Sequence, residues 1–452
     1  DLPTLESARS RAALESELGA PPSALVLAIS SSTLTPGTVE FETAAQRAVA
    51  GVASAPHVVG SRSHLIAPTQ VNVEKRIVYD VILLDAHRAG FGASGRNGGQ
   101  VSGTQRLDQD ELEKMVGLDA ARGLWEIGQD SVKVLRGLID AHKIDARWVS
   151  GVIHADHRAR FVAHSKAYAE KLQEDYGYGL IRALDKSEIR NLVGSDAYHG
   201  GTLDMGAGHI HPLRFAFGLA EACLAKGVRI FEKSRVLGVD EGEPATVRTE
   251  GARIRAKFVV LGANGYLGHM QGRVAARVMP INNFIVATEP LSEDRARDLI
   301  RENHAVADSK FVINYFRLSE DNRMLFGGTE SYGYRFPRDI AGNVRKPMEE
   351  IYPQLKGVRI DYAWGGTLGI TMNRMPHFER LSGNILTASG YSGHGVAMAT
   401  MGGKMAADAI AGQAEKFDLM ASVPTQRFPG GALLREPLLA AAMLWFSLRD
   451  RL

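Results

Sequence analysis

The sequence predicts an α/β fold in which a discontinuous nucleotide-binding domain carries an inserted antiparallel sheet. Three features carry this. Short aliphatic runs end in or just before glycine clusters: Asp80-Val-Ile-Leu-Leu-Asp85, Lys257-Phe-Val-Val-Leu-Gly262 and Asn384-Ile-Leu-Thr-Ala-Ser389. Each precedes a helix-like stretch, which is the pattern of strands buried in a parallel sheet. Between residues 275 and 335 the pattern changes to longer strands, Met279–Thr288 and Lys310–Ser319. There the turn Ser319-Glu-Asp-Asn-Arg323 leads into Met324-Leu-Phe-Gly-Gly328, a hairpin signal. Helical periodicity runs over 108–143, 165–176, 212–226, 292–303 and 395–411.

This reading assigns residues 78–145, 205–275 and 380–412 to the nucleotide-binding domain and 146–204 and 276–379 to a substrate domain. Residues 1–77 stand apart as an atypical N-terminal segment, and 413–452 form a C-terminal extension. The 452 residues are 45% apolar and 23% charged, a soluble globular composition. With 53 Lys and Arg against 51 Asp and Glu there is no basic surface for nucleic acid. The single cysteine, Cys223, excludes an internal disulfide and a multi-cysteine metal site, and reads as a small buried hydrophobe. No run approaches the ~18 apolar residues of a membrane span. The tract Leu438 to Phe446 reads as a packed helix, and no secretory signal opens the chain, so a cytoplasmic location is expected.

The chemistry is written most densely in Gly90-Phe-Gly-Ala-Ser-Gly-Arg-Asn-Gly-Gly-Gln100, which follows the strand ending in Asp85. An acidic residue at such a strand end accepts hydrogen bonds from an adenosine ribose. Amides freed by Gly95, Gly98 and Gly99, with Ser94, Arg96, Asn97 and Gln100 between them, suit a pyrophosphate and the polar edge of a ring. A second glycine-rich turn, Gly390-Tyr-Ser-Gly-His-Gly-Val396, opens a helix whose start favours negative charge. Its Ser392, Gly393 and Gly395 let backbone approach a ligand, and His394 reads as a loop-stabilising residue. His209 and His211 lack a companion cysteine or carboxylate at ligand spacing, so no metal is expected.

With Gly208-His-Ile-His-Pro212, Tyr315–Arg323, Phe428-Pro-Gly-Gly431 and Ser447–Leu452, these motifs occur in the order of a known family. From about Val78 onward the chain resembles the FAD-dependent amine and amino-acid oxidoreductases of the D-amino-acid oxidase group. The resemblance implies FAD as cofactor and an FAD-binding domain of Rossmann type beside an α+β substrate domain. It implies oxidation of a C–N bond by hydride transfer to flavin N5, with oxygen or an electron carrier as acceptor. A small amine is the expected substrate, gamma-glutamylputrescine first among them. It further implies that Gly390–Val396 faces the flavin pyrimidine, that Gly262 and Ala263 lie near the dinucleotide, and that the Val236 main chain meets the adenine. On the inserted sheet and its facing loops, Tyr315 and Trp364 are the expected aromatic walls for an aliphatic amine. Arg317 is the expected holder of a carboxylate, with His211 nearby.

One element is missing. A dinucleotide fold of this class opens with a strand and Gly-x-Gly-x-x-Gly about twenty residues before the acidic residue. That place reads Gly60-Ser-Arg-Ser-His-Leu-Ile-Ala-Pro68, where Gly60 stands alone. Losing this cradle removes several hydrogen bonds of roughly 1–3 kcal/mol each from a pyrophosphate. Two alternatives therefore stand beside the amine-oxidising reading: an amino-acid dehydrogenase of the same fold, and a flavin-free, inactive relative.

Overall fold

The inserted sheet is organised around Met279–Thr288, a strand buried at every one of its positions. An aliphatic run needs cover on both faces and pairing on both edges, and this one has all of these. It pairs antiparallel with Met324–Tyr332 on one side and Ile360–Ile370 on the other. Beyond Met324–Tyr332 the sheet continues through Tyr315–Leu318, Ala305–Asp308, Val149–Ala155 and Gly201–His209 to the two-residue strand Gln100–Val101. The helix Ile340–Ile351 contributes Val344, Met348 and Ile351 to a core that holds Phe284, Phe316, Phe326 and Tyr352. The Phe316 and Phe326 rings stack at 5.3 Å. Each such buried side chain contributes about 1.5–3 kcal/mol. The computed structural model describes residues 26–31, 79–332 and 335–431. The readings made on 60–77, on Leu438–Phe446 and on Ser447–Leu452 lie outside the described residues.

The second sheet has six strands, in the order His377–Ser382, Ile385–Ser389, Phe258–Leu261, Val26–Ser31, Tyr79–Leu84 and Arg229–Phe231. Ile385–Ser389 runs parallel to Phe258–Leu261, and Tyr79–Leu84 runs parallel to Arg229–Phe231. The expected parallel character is present in these pairs. The central strand departs from it: Val26–Ser31 runs antiparallel to both neighbours, with Val26 opposite Leu84 and Ser31 opposite Tyr79. Its C-terminal end therefore lies at the start of Tyr79–Leu84, away from Asp85. In a dinucleotide fold the phosphate loop leaves the first strand beside that acidic residue. Here the strand leaves at the opposite edge.

Helix Gly395–Ile410 packs between this sheet and the helices Leu118–His142 and Glu415–Ser422, burying Met398, Met401 and Met405 against Leu124, Phe378 and Phe417. Several expected elements are shorter than their sequence patterns. The helix expected over 108–143 is two helices, Gln109–Val116 and Leu118–His142, because Gly117 between them adopts φ +84. The strand expected over Lys310–Ser319 is confined to Tyr315–Leu318. Residues 309–314 instead close a loop on Asp308, whose carboxylate accepts from the Lys310 amide and from the Asn314 amide and side chain. The helix over 292–303 is limited to Glu293–Leu299. The strands Gly201–His209 and His377–Ser382 each run through a domain border assigned from the sequence. No described helix is long and apolar enough to cross a membrane.

Candidate active site

The glycine-rich loop leaves the strand end through Asp85, whose carboxylate accepts from the His87 amide at 2.7 Å. Burial pushes the Asp85 carboxyl above its usual range. A short helix, Ala93–Arg96, follows, and the Asn97 side chain closes it by donating to Ala93 O at 2.9 Å and Ser94 O at 3.0 Å. The same side chain accepts from the Gly99 amide at 2.7 Å. Three backbone oxygens of the loop are then held from outside. Trp364 Nε1 donates to Arg96 O at 3.0 Å, Arg317 Nε to Gly98 O at 2.6 Å, and the Ile210 amide to Gly99 O at 2.8 Å. Gln100 Nε2 ties the end of the loop to Val306 O at 2.8 Å. The loop's shape thus belongs to the substrate sheet as much as to its own sequence. Arg96 donates to Gly365 O at 3.2 Å and lies over the Phe91 ring at 4.3 Å, so its guanidinium is oriented by protein.

The second turn is built as firmly. Gly390 has φ +75 and donates its amide to Asn264 Oδ1 at 2.8 Å. The Ser392 amide donates to Gly369 O at 2.9 Å. Helix Gly395–Ile410 then starts without a side-chain cap. His394, just before it, keeps Nδ1 buried without a hydrogen-bond partner in the structure. Burial and the nearby Arg106 guanidinium push the His394 ring down to about 3, so it is neutral at physiological pH.

Both turns open on one cavity of about 510 Å³. Of the residues singled out from sequence, Arg96, Asn97, Gly98, Gly99, Gln100, Tyr315, Ser392, Gly393, His394 and Val396 line it. Asp85, Ser94, Gly95, Gly262, Ala263, Gly390, Gly395 and Val236 do not. Ser94 and Gly262 are exposed, while Val236 and Ala263 are core residues. The expected substrate group divides. Tyr315 lines the cavity and donates to Asn283 Oδ1 at 2.5 Å. Arg317 is not among the residues lining the cavity; its Nε donates to Gly98 O of the glycine loop and its Nη1 to Leu318 O. Trp364 also braces the loop from behind. His211 caps the helix Pro212–Ala225, its Nδ1 accepting from the Arg214 amide at 3.4 Å.

The same cavity is lined by residues that sequence did not single out: Arg106, Arg374, Glu330, His154 and Asp204. Burial and the neighbouring Arg374 push Arg106 down to about 10, and its Nε donates to Ser392 O at 3.3 Å. Burial pushes Glu330 up to about 7 against the pull of Arg374 and Arg106. Burial likewise holds His154 below its ordinary value and Asp204 above it.

Three observations fit the ring end of a flavin to this cavity. An uncapped helix start faces it, a buried imidazole nitrogen lacks a partner, and the loop floor admits only glycine. A Cβ on Gly98 would lie 2.6 Å from the Tyr315 ring, and one on Gly99 would lie 2.1 Å from Ile210 O. Gly98, Gly99, His394 and the amides at the start of Gly395–Ile410 are therefore the groups that would hold the ring. Trp364→Phe removes one donor to Arg96 O and keeps an aromatic ring of smaller size there. Its expected cost is about 1 kcal/mol, a roughly fivefold rise in the flavin dissociation constant read by fluorescence titration.

A family model described as FAD dependent oxidoreductase matches residues 72–409. The chain is 41% identical over 375 residues to gamma-glutamylputrescine oxidoreductase of Escherichia coli, covering 83% of this chain and 88% of the relative. It is 38% identical over 373 residues to a probable oxidoreductase of Rhizobium meliloti, covering 82% and 87%. Among solved structures, glycine oxidase from Geobacillus kaustophilus superposes with a TM-score of 0.63 at 19% identity, covering 76% of this chain and 92% of that one. L-proline dehydrogenase from P. horikoshii gives 0.57 at 19% identity, covering 77% and 90%. These two show the shared fold.

Proposed function

The chain belongs to the FAD-dependent oxidoreductases of the amine and amino-acid type, with FAD as cofactor, and we propose that it oxidises the terminal C–N bond of a gamma-glutamylated amine such as gamma-glutamylputrescine. The observation that carries this is one cavity lined both by the flavin-ring groups and by the charged residues Arg106, Arg374 and Glu330. When bound, FAD supplies a two-electron acceptor for hydride from the carbon beside nitrogen. The chain's own residues orient the substrate and keep water from it. Tyr315, Phe161, Phe311 and Tyr168 give apolar walls for a methylene chain. Arg106 and Arg374 offer two guanidinium groups to the carboxylate of a glutamyl head. Arg374 lies over the Phe311 ring at 5.6 Å, so a side of the cavity is both apolar and cationic.

The test is anaerobic rapid mixing of the flavin-loaded protein with gamma-glutamylputrescine, putrescine, glycine and L-proline. A charge-assisted hydrogen bond contributes about 1.5–3 kcal/mol, so losing the glutamyl carboxylate lowers the second-order bleaching rate by roughly ten- to a hundredfold. Gamma-glutamylputrescine is therefore expected to bleach the flavin fastest. Faster bleaching by glycine or L-proline would favour an amino-acid dehydrogenase instead.

A further inference from the structure

The carboxylates that line the cavity are not equivalent. Asp308 is saturated by the Lys310 and Asn314 amides and the Asn314 side chain. Asp204 accepts from Tyr178 Oη at 2.5 Å and from the Gly206 and Ala207 amides. Asp156 accepts from Ser165 Oγ, and Asp108 pairs with His164. Glu330 alone among them forms no side-chain hydrogen bond or ion pair with any described residue.

Its position is set by a strand irregularity. Glu330 lies opposite Asn283, beside a register shift between Asn283 and Phe284, and the preceding Thr329 has φ +64. The same Asn283 accepts from Tyr315, whose ring lies against Gly98 of the cofactor loop. Glu330 therefore stands next to the residues that border the flavin-ring groups, with no described residue bonded to its carboxylate.

We propose that Glu330 is the base of this site: it receives the substrate's ammonium in the cavity and removes one proton from it. The step rests on the amine-oxidising reading above. One N–H bond breaks and one O–H bond forms, so ammonium and carboxylate become neutral amine and carboxylic acid with no change in oxidation state. Amine oxidation requires this, because a protonated nitrogen has no lone pair to assist loss of hydride from its neighbour. A carboxyl pushed up to about 7 is poised for proton acceptance near neutral pH. The charged groups facing it are Arg106, from the loop before Gln109–Val116, and Arg374, from the turn after Ile360–Ile370. The Tyr315 hydroxyl is its other titratable neighbour. Arg96, Tyr168, His154, Asp204, Asp308, Lys310, Asp156, Asp108, His164 and His394 complete the titratable lining of the cavity.

The experiment is the pH profile of anaerobic flavin reduction by gamma-glutamylputrescine, for the unaltered protein, Glu330→Gln and Glu330→Asp. The unaltered protein should show a rising limb at about 7 and a fall near the amine's own pKa of about 10. Glu330→Gln can use only amine that arrives neutral, about one part in a hundred at pH 8. Its second-order rate should therefore be about a hundredfold lower there, climb with pH, and approach the unaltered protein near pH 10, with Glu330→Asp restoring the acidic limb. With a fluorinated amine of lower pKa, the alkaline limb of the unaltered protein should move and the limb at about 7 should stay, a measurement independent of either variant. Retention of the limb at about 7 in Glu330→Gln, or a rate loss equal at every pH, would overturn the assignment. If no amine bleaches the unaltered protein at any pH, the functional reading itself fails.

Discussion

Gly99→Ala should leave less than about a tenth of the flavin bound, while the substrate sheet stays folded. Gly99 has φ +82, a conformation that costs a non-glycine residue roughly 1–3 kcal/mol. The added methyl would also lie 2.1 Å from Ile210 O, and that oxygen is backbone, so it cannot swing aside. The loop must then move. In moving it gives up the Asn97 side chain on the Gly99 amide and the Ile210 amide on the Gly99 oxygen. Gly117→Ala is the matched comparison: its φ is +84, but a Cβ there meets nothing within 4 Å. It should lose stability and keep flavin. Flavin per protein by absorbance, beside far-ultraviolet dichroism, separates the two outcomes. Equal flavin in both would remove the close approach to Ile210 as the cause.

Arg317→Leu should carry the second-largest effect, and it should appear as weak flavin binding rather than as a changed substrate preference. Arg317 is 7% exposed, and its Nε donation fixes Gly98 O. Leucine leaves that oxygen without its donor, at about 1–3 kcal/mol, a rise of about tenfold or more in the flavin dissociation constant. A pH effect accompanies it. Burial first, then the Arg317 charge, holds His209 at about 4 against an ordinary 6.5. His209 is thus neutral when folded and protonates on unfolding below 6.5, so the unaltered protein loses stability as pH falls from 6.5 to 4. Without Arg317 the His209 value rises and that loss is smaller. Thermal melts of both proteins across this range test the sign. A changed ratio between amine substrates, with flavin binding intact, would return Arg317 to the substrate site.

The residues legible in sequence are those whose chemistry is local. Glycine clusters after aliphatic runs marked both cavity-facing turns, because a strand that turns within a few residues needs glycine there. Tyr315 and Arg317 were chosen together for an aromatic wall and an anion holder. Two positions apart, they share a strand face, but Tyr315 lines the cavity while Arg317 donates to the glycine loop and does not line it. Only the packing of two sheets decides that. Glu330, Arg106 and Arg374 had no sequence signal. The first is aimed by a strand irregularity, and the others sit in turns brought together by strands far apart in the chain. The backward-running Val26–Ser31 was equally hidden, since a short apolar run carries no direction.

The direction of that strand sharpens the central claim, which is that this chain holds FAD through its ring-binding half. The most direct measurement is the visible spectrum of the full chain, purified after incubation with FAD and freed of excess. The bands of an oxidised flavin, at one equivalent per chain, are the expected result, with release caused by Gly99→Ala. A colourless protein that stays colourless with added FAD would contradict the account.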